Sequence, residues 1–346
     1  MKDAELNVPL SGYRVLDLTD DKGMFCARLL ADMGAKVVRI EKPGSERDDD
    51  LFHLATNLGK HIQTFDITTK RGITRLKRLV KTADILVESY SPGFLKGLGL
   101  DLPNLSKINP KLIVASITDF GQTGPYCDYK ASDLVVSAMS GQMYVNGETD
   151  SPPLKPYGNQ TYYTGALFAA IGILVALWQR HSSGSGRHID ISLQECAAAT
   201  LDHVLVRYFA EGVVARRQGS LYWNNAFRIF PCRDGYILLT LVQQWETLVG
   251  WLNSEGMASD LGDKKYLDVE VRQAGLQHII EVLERWTRTH TVAELVEKGQ
   301  LMRFPWAEVS PISKVLENRQ FKERSFFDEV TGPVSGRKCR LPKALL

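Results

Sequence analysis

The sequence predicts an α/β fold with an open, doubly wound and mostly parallel sheet, accompanied by a second, smaller domain. The chain has 346 residues, enough for one large domain or two of ordinary size. Through its first half, short aliphatic runs alternate with segments of helical periodicity, which is typical of a parallel sheet covered on both faces. The composition changes near residues 205–225, which indicates the second domain.

The first half contains four segments with the composition of strands. They are residues 13–18 (YRVLDL), 36–40 (KVVRI), 85–88 (ILVE) and 112–117 (LIVASI). Residues 23–34 carry apolar side chains at helical spacing and end at Gly34, which is typical of a helix C-terminus. Residues 69–81 form the next predicted helix. The order of these elements favours the doubly wound sheet.

The second half begins with an uncharged segment, residues 162–178 (YYTGALFAAIGILVALW), about long enough to cross a bilayer. Its small side chains also suit close packing within a protein, and we interpret it as a buried helix, with a membrane span as the alternative. Residues 188–192 (HIDIS) predict a strand and 193–211 a single helix. Residues 227–230 and 236–241 predict a hairpin, and 243–303 are mainly helical.

Charge and motifs exclude several classes of protein. Lys and Arg number 42 against 40 Asp and Glu, which is not the pattern of a protein that coats nucleic acid or an anionic membrane. Five scattered cysteines and seven histidines without an HExxH motif predict reduced thiols and no metal site. No GxGxxG or GxxxxGK[ST] follows the first strand, which argues against dinucleotide-binding enzymes and P-loop NTPases. The N-terminus lacks a secretory signal, and we expect a cytoplasmic protein.

Longer motifs run through most of the chain. They are LSGYRVLDLT (10–19), LLADMGAKVVRIEKPG (29–44), DILVESYSPGFLKGLGL (84–100), INPKLIVASITDFGQTGPY (108–126), DLVVSAMSG (133–141) and SGSGRHIDISLQECA (183–197). With these motifs the sequence resembles the class III CoA-transferases, the family of formyl-CoA:oxalate, crotonobetaine/carnitine and benzylsuccinate CoA-transferases.

The resemblance implies a large Rossmann-like domain over residues 1–205, a small α/β domain over 206–310, and a segment, 311–346, that returns to the large domain. It also implies that two chains interlock through each other's central opening. The implied chemistry starts when a carboxylate attacks an acyl-CoA thioester and forms an acyl-enzyme anhydride, from which CoA passes to an acceptor acid. Coenzyme A and acyl-CoA would be substrates, and we expect no permanently bound cofactor.

The sequence departs from the family at the nucleophile. The family's aspartate lies four residues before the glycine that opens the long apolar helix; that glycine is Gly165, so Thr161 occupies the position. A neutral hydroxyl would form an ester and would need a base, which the motif lacks. We therefore expect Thr161 to be a packing residue or a helix-capping residue, and we predict no catalytic residue in this chain. Alternatively another carboxylate, Asp119 or Glu148, has taken over; Asp119 replaces a glycine of the family's GFGQTGP motif and could equally be a solvated loop acid.

Three further departures bear on function. An α-methylacyl-CoA racemase shares the family's fold but needs a histidine and an aspartate, and the matching positions are Ser132 and Thr161. The family's AGP after the first strand becomes Lys22-Gly23-Met24. The family's glycine-rich lid has no counterpart around residues 222–227 (YWNNAF). The lost nucleophile, this changed loop and the missing lid together favour a subunit released from catalysis.

The resemblance also implies a set of CoA-binding residues. It puts Arg39 near the nucleotide phosphates, Lys130 at a second basic contact, Phe65 beside the adenine, and Ser89 and Tyr90 where the family has Asn-Phe. The family's next arginine falls on Gly97, with Lys96 beside it. Arg39 and Lys130 could also be ordinary solvated side chains.

Taken together, these features predict the non-catalytic subunit of a heteromeric CoA-transferase similar to succinyl-CoA:benzylsuccinate CoA-transferase. Its expected partner is a homologous catalytic subunit, in a heterodimer or heterotetramer, with a CoA thioester as ligand and neither nucleic acid nor membrane as partner. Succinyl-CoA is the expected donor and benzylsuccinate the expected acceptor, in the anaerobic degradation of aromatic compounds. The alternatives are an active homodimer that uses another carboxylate and a non-enzymatic acyl-CoA-binding protein.

Overall fold

The computed structural model describes residues 8–45, 51–222, 227–241, 244–331, 336 and 338–343. These residues form two compact units. The first takes the described parts of Met1–Gly147, Pro152–Arg217 and Ser325–Leu346, and the second takes those of Glu148–Ser151 and Gln218–Arg324. Apart from Glu148–Ser151, the chain enters the second unit after Arg217 and leaves it after Arg324. The boundaries at 205 and 310 that the resemblance implies stay a prediction.

A six-stranded parallel sheet forms the centre of the first unit. Its strands are β1 (Arg14–Leu18), β2 (Lys36–Glu41), β3 (His61–Thr64), β4 (Ile85–Glu88), β5 (Ile113–Thr118) and β6 (His188–Ser192). Their order across the sheet is β3-β2-β1-β4-β5-β6, with each pair parallel. This doubly wound order confirms the predicted fold class, and β3 is a strand that the sequence pattern did not indicate.

Nine helices of the first unit lie in the described residues: α1 (Met24–Asp32), α2 (Leu51–Asn57), α3 (Lys70–Val80), α4 (Phe94–Gly97), α5 (Leu102–Leu105), α6 (Asp133–Met139), α7 (Gln160–Ser183), α8 (Leu193–Ala199) and α9 (Asp202–Glu211). The single helix predicted over 193–211 is wrong, because the chain leaves the helix between α8 and α9. There the Thr200 hydroxyl donates a 2.6 Å hydrogen bond to the Ala197 carbonyl oxygen, a local bond that competes with helix continuation.

Apolar side chains on alternate strand positions build one core layer on each face of the sheet. Val15 and Ile85 face α1 and α7, where they pack with Leu30 and Ala169. Their sequence neighbours Leu16 and Leu86 face the opposite way and pack with Leu76 and Val80 of α3. Both faces are therefore covered, which explains the continuous apolar runs in the strands.

The long apolar helix α7 is buried on one face. Ala166, Ala169 and Ile173 lie in the core, while Ile171 is 58% and Trp178 78% exposed. The predicted burial of this helix is therefore correct for the face with Ala166, Ala169 and Ile173. It is wrong for the face with Ile171 and Trp178, which no described residue of this chain covers fully. By length and composition alone α7 could cross a membrane, but core helices of soluble proteins meet the same criterion.

The second unit contains an antiparallel sheet and a helical layer. Its strands are β7 (Leu221–Tyr222), β8 (Phe227–Pro231), β9 (Tyr236–Thr240) and β10 (Ala307–Glu308), in the order β10-β9-β8-β7. The predicted hairpin is confirmed by the pairing of β8 with β9. The helices are α10 (Trp245–Ser254), α11 (Val269–Ala274), α12 (Leu276–Thr287), α13 (Val292–Leu301), α14 (Ile312–Val315) and α15 (Arg319–Glu323), with a 3-10 turn over Lys264–Leu267.

Large aromatic side chains fill the core of the second unit. Trp286 and Trp306 are both fully buried, and the Trp251 ring stacks on Trp306 with centroids 5.7 Å apart. After this unit the chain forms an antiparallel pair of strands, β11 (Phe327–Thr331) and β12 (Lys338–Pro342), which belongs to the first unit.

Candidate active site

A cavity of about 290 Å³ opens at the carboxyl ends of β1, β2 and β4. Its lining includes Thr19, Asp20, Arg39, Ser89 and Tyr90. The strand order reverses between β1 and β4, and open α/β sheets bind ligands in the crevice at that point. The structure therefore brings three of the five predicted CoA-binding residues, Arg39, Ser89 and Tyr90, to one cavity.

Arg39 is buried within a network of charges. Its Nε donates to Glu41 Oε1 at 2.9 Å, and its Nη1 donates to Asp17 Oδ2 at 3.2 Å and to the Thr19 carbonyl oxygen at 3.1 Å. Lys60, whose side chain is fully buried, donates to the same Asp17 oxygen at 2.8 Å. Two cations thus neutralise two carboxylates beside the cavity, and Arg39 is not a solvated strand end.

The charges of this network set the pKa of Asp17. Burial alone would raise the pKa of its carboxyl group, but the ammonium of Lys60 and the guanidinium of Arg39 outweigh burial and hold that pKa below its usual value. Burial lowers the pKa of Lys60, and the Asp17 carboxylate opposes this shift. Each cation therefore offsets the unfavourable burial of the carboxylate that it contacts.

Ser89 and Tyr90 are fixed by bonds from neighbouring loops. The Ser89 hydroxyl accepts a 2.7 Å hydrogen bond from the Asp20 N–H and donates one of the same length to Asp20 Oδ1. The Tyr90 N–H donates to Glu88 Oε2 at 2.8 Å, and its ring stacks on Phe94 at 4.5 Å. These contacts hold the loops after β1 and β4 together at the cavity.

The other two predicted CoA-binding residues lie elsewhere in the first unit. Phe65 is 8% exposed and packs in the core layer that contains α3, with the Arg75 guanidinium carbon 4.5 Å from its ring centre. Lys130 is exposed on the loop between β5 and α6. Neither residue lines the cavity beside Arg39.

Thr161 lies in the first turn of α7 and is fully buried. Its hydroxyl and its backbone N–H both donate to Asp133 Oδ1, at 2.6 Å and 2.9 Å. Lys155 Nζ donates to the other oxygen of Asp133, and the Asp133 N–H donates to the Tyr162 hydroxyl at 3.0 Å. Asp133 thus satisfies an N–H at the start of α7 that has no partner within the helix. Ser132, next to Asp133, offers no basic side chain.

The alternative carboxylates lie in different parts of the chain. Asp119 follows β5, and its buried Oδ1 has no hydrogen-bond partner among the described residues. Burial raises the pKa of Asp119, Lys22 opposes this shift, and Asp20 adds to it. The Asp119 charge in turn helps burial to raise the pKa of Tyr162, next to Thr161. Glu148 is exposed and belongs to the second unit.

Glu88, at the end of β4, is a residue that the sequence analysis missed. It is 4% exposed, and burial raises its pKa to about 7. The charges of Asp20 and Asp190 raise this pKa further, whereas hydrogen bonds from Ser116 and the Tyr90 N–H lower it. Its signal in the sequence is an acidic residue that ends a buried aliphatic strand. The Ser116 hydroxyl also lies 2.9 Å from His188 Nε2, so a hydrogen-bonded chain leads from Glu88 to the edge strand β6.

The loop after β1, where the resemblance implies the family's AGP, contains an ion pair. Lys22 Nζ donates to Asp20 Oδ2 at 2.6 Å, and Met24 lines the cavity at the start of α1. Residues 223–226, in the segment where the sequence shows no counterpart of the family's lid, lie outside the described part of the chain. Within the described ranges, no group of three or more His, Cys, Asp and Glu side chains is arranged to hold a metal ion.

Comparison with known proteins identifies the family of the chain. The family model described as CoA-transferase family III matches residues 10–345. Subunit BbsE of the succinyl-CoA:(R)-benzylsuccinate CoA-transferase of Thauera aromatica is 31% identical over 96% of this chain and 87% of its own. The succinate–glutarate CoA-transferase of Agrobacterium fabrum is 31% identical over 91% of this chain and 84% of its own.

A solved structure agrees over nearly the whole chain. A CaiB/BaiF family protein from Brucella suis superposes with a TM-score of 0.86 at 28% identity, over 93% of this chain and 89% of that protein. The resemblance inferred from the motifs is therefore confirmed, and the chain belongs to CoA-transferase family III.

Proposed function

We propose that this chain is the subunit of a heteromeric CoA-transferase that lacks the acyl-accepting carboxylate and assembles with a homologous catalytic subunit. The observation that carries the proposal is the 2.6 Å hydrogen bond from the Thr161 hydroxyl to Asp133, at the position matched to the family's nucleophile. The similarity to BbsE, which is named as a subunit of such an enzyme, supports the heteromeric assembly.

The contacts of Thr161 are unsuited to acyl transfer. A nucleophile in this chemistry must be ionised and open to the thioester, whereas Thr161 is neutral, fully buried and directs its hydrogen to Asp133. Asp133 in turn binds Lys155 through its second oxygen. Attack by either side chain would first have to break these contacts, so both residues act in the structure rather than in the chemistry.

We propose that the assembled enzyme moves CoA from succinyl-CoA to a carboxylic acid, with benzylsuccinate as the acceptor. The similarity to an enzyme named for these two substrates supports this choice. In this chain the Arg39 Nη2, which has no partner among the described residues, is available to a phosphate oxygen, and the Tyr90 ring is available to the nucleotide. Asp20 and Glu41 line the same cavity and repel phosphates, so we expect weaker CoA binding than at an all-basic site.

The exposed apolar face of α7 supports an assembled state. Phe168, Ile171, Val175 and Trp178 are between 40% and 78% exposed and project from one helix. Patches of this kind on a soluble chain mark surfaces that a partner covers. We propose that the homologous subunit covers this face, in the interlocked arrangement that the family resemblance implies, and that the complex works in the cytoplasm as part of anaerobic aromatic degradation.

Co-expression tests the proposal. The chain is purified alone and together with a homologous chain that carries aspartate at the Thr161 position, and succinyl-CoA-dependent formation of benzylsuccinyl-CoA is followed by liquid chromatography. We expect no transfer by the chain alone and transfer by the complex, with activity lost when the partner's aspartate is changed to alanine. Transfer by the isolated chain at the rate of the complex would contradict the proposal.

A second candidate function is transfer by this chain itself with Asp119 as the nucleophile. Its support is the buried Asp119 Oδ1, which has no partner among the described residues, and the electrostatic influence of Asp119 on Tyr162, next to Thr161. Incubation of the isolated chain with succinyl-CoA, capture by hydroxylamine and peptide mass spectrometry decide this. A hydroxamate on Asp119 that Asp119→Asn abolishes would support the second candidate over the first. If no partner restores activity and no adduct forms, the result would favour the third hypothesis, a non-enzymatic acyl-CoA-binding protein.

A further inference from the structure

A second cavity, of about 350 Å³, lies within the second unit, in a part of the chain that the proposed function does not use. Its lining consists of Gln244, Trp245, Glu246, Thr247, Leu267 and Arg272. Four of these residues form the N-cap and first turn of α10. The cavity therefore opens at a helix N-terminus, where backbone N–H groups and the helix dipole favour negative charge.

The N-terminus of α10 has no cap among the described residues. Gln244 is the N-cap residue, and its side chain makes no capping hydrogen bond. A glutamine does not provide the short oxygen acceptor with which Ser, Thr, Asp or Asn caps a helix. The N–H groups of Trp245, Glu246 and Thr247 likewise bind no acceptor in the described parts of the chain. Three donors thus remain for a ligand in the cavity.

Arg272 supplies an independent sign of an anion. The side chain is 8% exposed, and its Nη1 donates to the carbonyl oxygens of Tyr266 and Leu267, at 2.7 Å and 3.4 Å. Its Nε is buried without a partner, and no described residue accepts from Nη2 or pairs a carboxylate with the guanidinium. A buried guanidinium without a counter-ion is unfavourable, and an anion in the cavity would remove that penalty.

The remaining lining residues indicate that the ligand also has an apolar part. The Arg272 guanidinium carbon lies 5.2 Å from the centre of the Trp245 ring, and the 56% exposed Leu267 adds an apolar surface. The volume exceeds the needs of a bare inorganic anion, so room remains for an apolar group. The lining also contains one carboxylate, that of Glu246. Its negative charge opposes that of Arg272 and limits the affinity of the cavity for an anion.

We propose that this cavity binds a small organic oxyanion, with its carboxylate or phosphoryl group between Arg272 and the N-terminus of α10 and its apolar part against Trp245 and Leu267. The donors that this site offers, three N–H groups and a guanidinium edge, suit either oxyanion. The site does not depend on the proposed function, because no residue of the cavity at the end of β1 takes part in it.

The test is calorimetric titration of the full-length protein with sodium hexanoate and with hexyl phosphate, at constant ionic strength and without CoA. Inorganic phosphate, hexanamide and hexylamine are the comparison ligands. We expect saturable binding of one molecule of either organic anion, and at least tenfold weaker binding of hexanamide and hexylamine. The stronger of the two anions identifies the group that the site prefers. Equal binding of hexylamine, or no saturable heat with either anion, would overturn the proposal.

Variants separate this site from nonspecific binding. Arg272→Gln should weaken anion binding by roughly tenfold or more, since it removes the charge that strengthens the hydrogen bonds to the anion. Glu246→Gln removes the opposing charge and should tighten binding by about two- to fivefold. Thr247→Pro deletes one N–H in the first turn, where a helix tolerates proline, and should weaken it. If Arg272→Gln does not fold, unchanged affinity in both Glu246→Gln and Thr247→Pro refutes the site.

Discussion

The Thr161 hydroxyl and the Thr161 backbone N–H both donate to one oxygen of Asp133, at 2.6 Å and 2.9 Å. The two residues are 28 positions apart in the sequence, and the contact joins the first turns of α6 and α7. Because Asp133 is 5% exposed, its carboxylate depends on these donors and on Lys155 for the interactions that water would otherwise supply. Thr161, which the resemblance matches to the family's nucleophile, thus takes part in a contact that joins α6 and α7.

Replacing the hydroxyl should therefore destabilise the chain. Thr161→Val keeps the shape but deprives buried Asp133 of one donor, and we expect the free energy of unfolding to fall by about 1–3 kcal/mol. Thr161→Ser, which keeps the hydroxyl, is the matched control and should cost less than about 1.5 kcal/mol for the lost methyl group. Urea denaturation followed by circular dichroism measures both. An unchanged free energy of unfolding in Thr161→Val would mean that the hydrogen bond contributes nothing.

Glu88 should make stability depend on pH. Burial raises its pKa in the folded chain from the usual 4.5 to about 7. Below pH 4.5 the folded and unfolded chains are both protonated at this residue. Between pH 4.5 and 7 this residue ionises in the unfolded chain but not in the folded one, so a rising pH favours unfolding. Above about pH 7 both forms are ionised, and the contribution of this residue to the free energy of unfolding stays constant.

The Glu88→Gln variant tests this dependence, because an amide cannot ionise. Relative to Glu88→Gln, we expect the original chain to lose about 3 kcal/mol of unfolding free energy as the pH rises from 4.5 to 8. Chemical denaturation at a series of pH values measures the difference. Relative to Asp190→Asn, the original chain should also lose unfolding free energy over the same pH range, but less than relative to Glu88→Gln, since the Asp190 charge contributes only part of the rise in the Glu88 pKa. A difference that does not change with pH would refute the raised pKa.

The burial of the Lys60–Asp17 pair should decide how much the pair contributes to stability. Both side chains are fully buried and lie 2.8 Å apart, so Lys60→Met leaves Arg39 as the cation paired with the Asp17 carboxylate, beside the hydrogen bonds from Thr19. We expect a loss of about 3–5 kcal/mol. The control is Lys22→Met, since Lys22 pairs with Asp20 at 2.6 Å but that aspartate is 53% exposed. There we expect a change within about 1 kcal/mol, and similar losses in both variants would contradict the argument.

The sequence could indicate the sheet because strand burial leaves a local signal. Residues 85–87 and 112–115 are aliphatic because both of their faces are covered, and strands β4 and β5 lie there in the structure. The strand β3 was missed because HIQT carries no such signal and is held by its pairing with β2. The sequence does not show the break between α8 and α9, because the apolar periodicity continues through Thr200. The hydrogen bond from the Thr200 hydroxyl to the Ala197 carbonyl oxygen is visible only in the structure.

The site was less accessible to sequence analysis because its contacts join distant segments. Arg39 could be assigned to a ligand site by resemblance, but its bond to Asp17, which it shares with Lys60, depends on the pairing of β1, β2 and β3. Glu88 is adjacent to the predicted Ser89, yet its raised pKa comes from burial between β1 and β5. Sequence motifs identify the loops that meet at a site, and burial decides the charge state of their side chains.

The exposed face of α7 should be needed for assembly and not for folding. Val175 is 56% and Trp178 78% exposed, so Val175→Glu with Trp178→Glu adds charge where the isolated chain has little packing to lose. We expect the melting temperature of the isolated chain to change by less than about 4 °C, because exposed substitutions usually stay within about 0.5 kcal/mol. We expect the same pair of changes to abolish copurification with the homologous subunit, since buried unpaired charge at an interface is strongly unfavourable.

The control for this last experiment is Ser182→Glu, which adds a charge to an exposed position at the end of the same helix. Analytical ultracentrifugation of each variant with the partner compares the assemblies directly. Retained assembly in the double variant would mean that a different surface of the chain holds the partner. Loss of assembly in Ser182→Glu as well would mean that charge at the end of α7, rather than its apolar face, governs association.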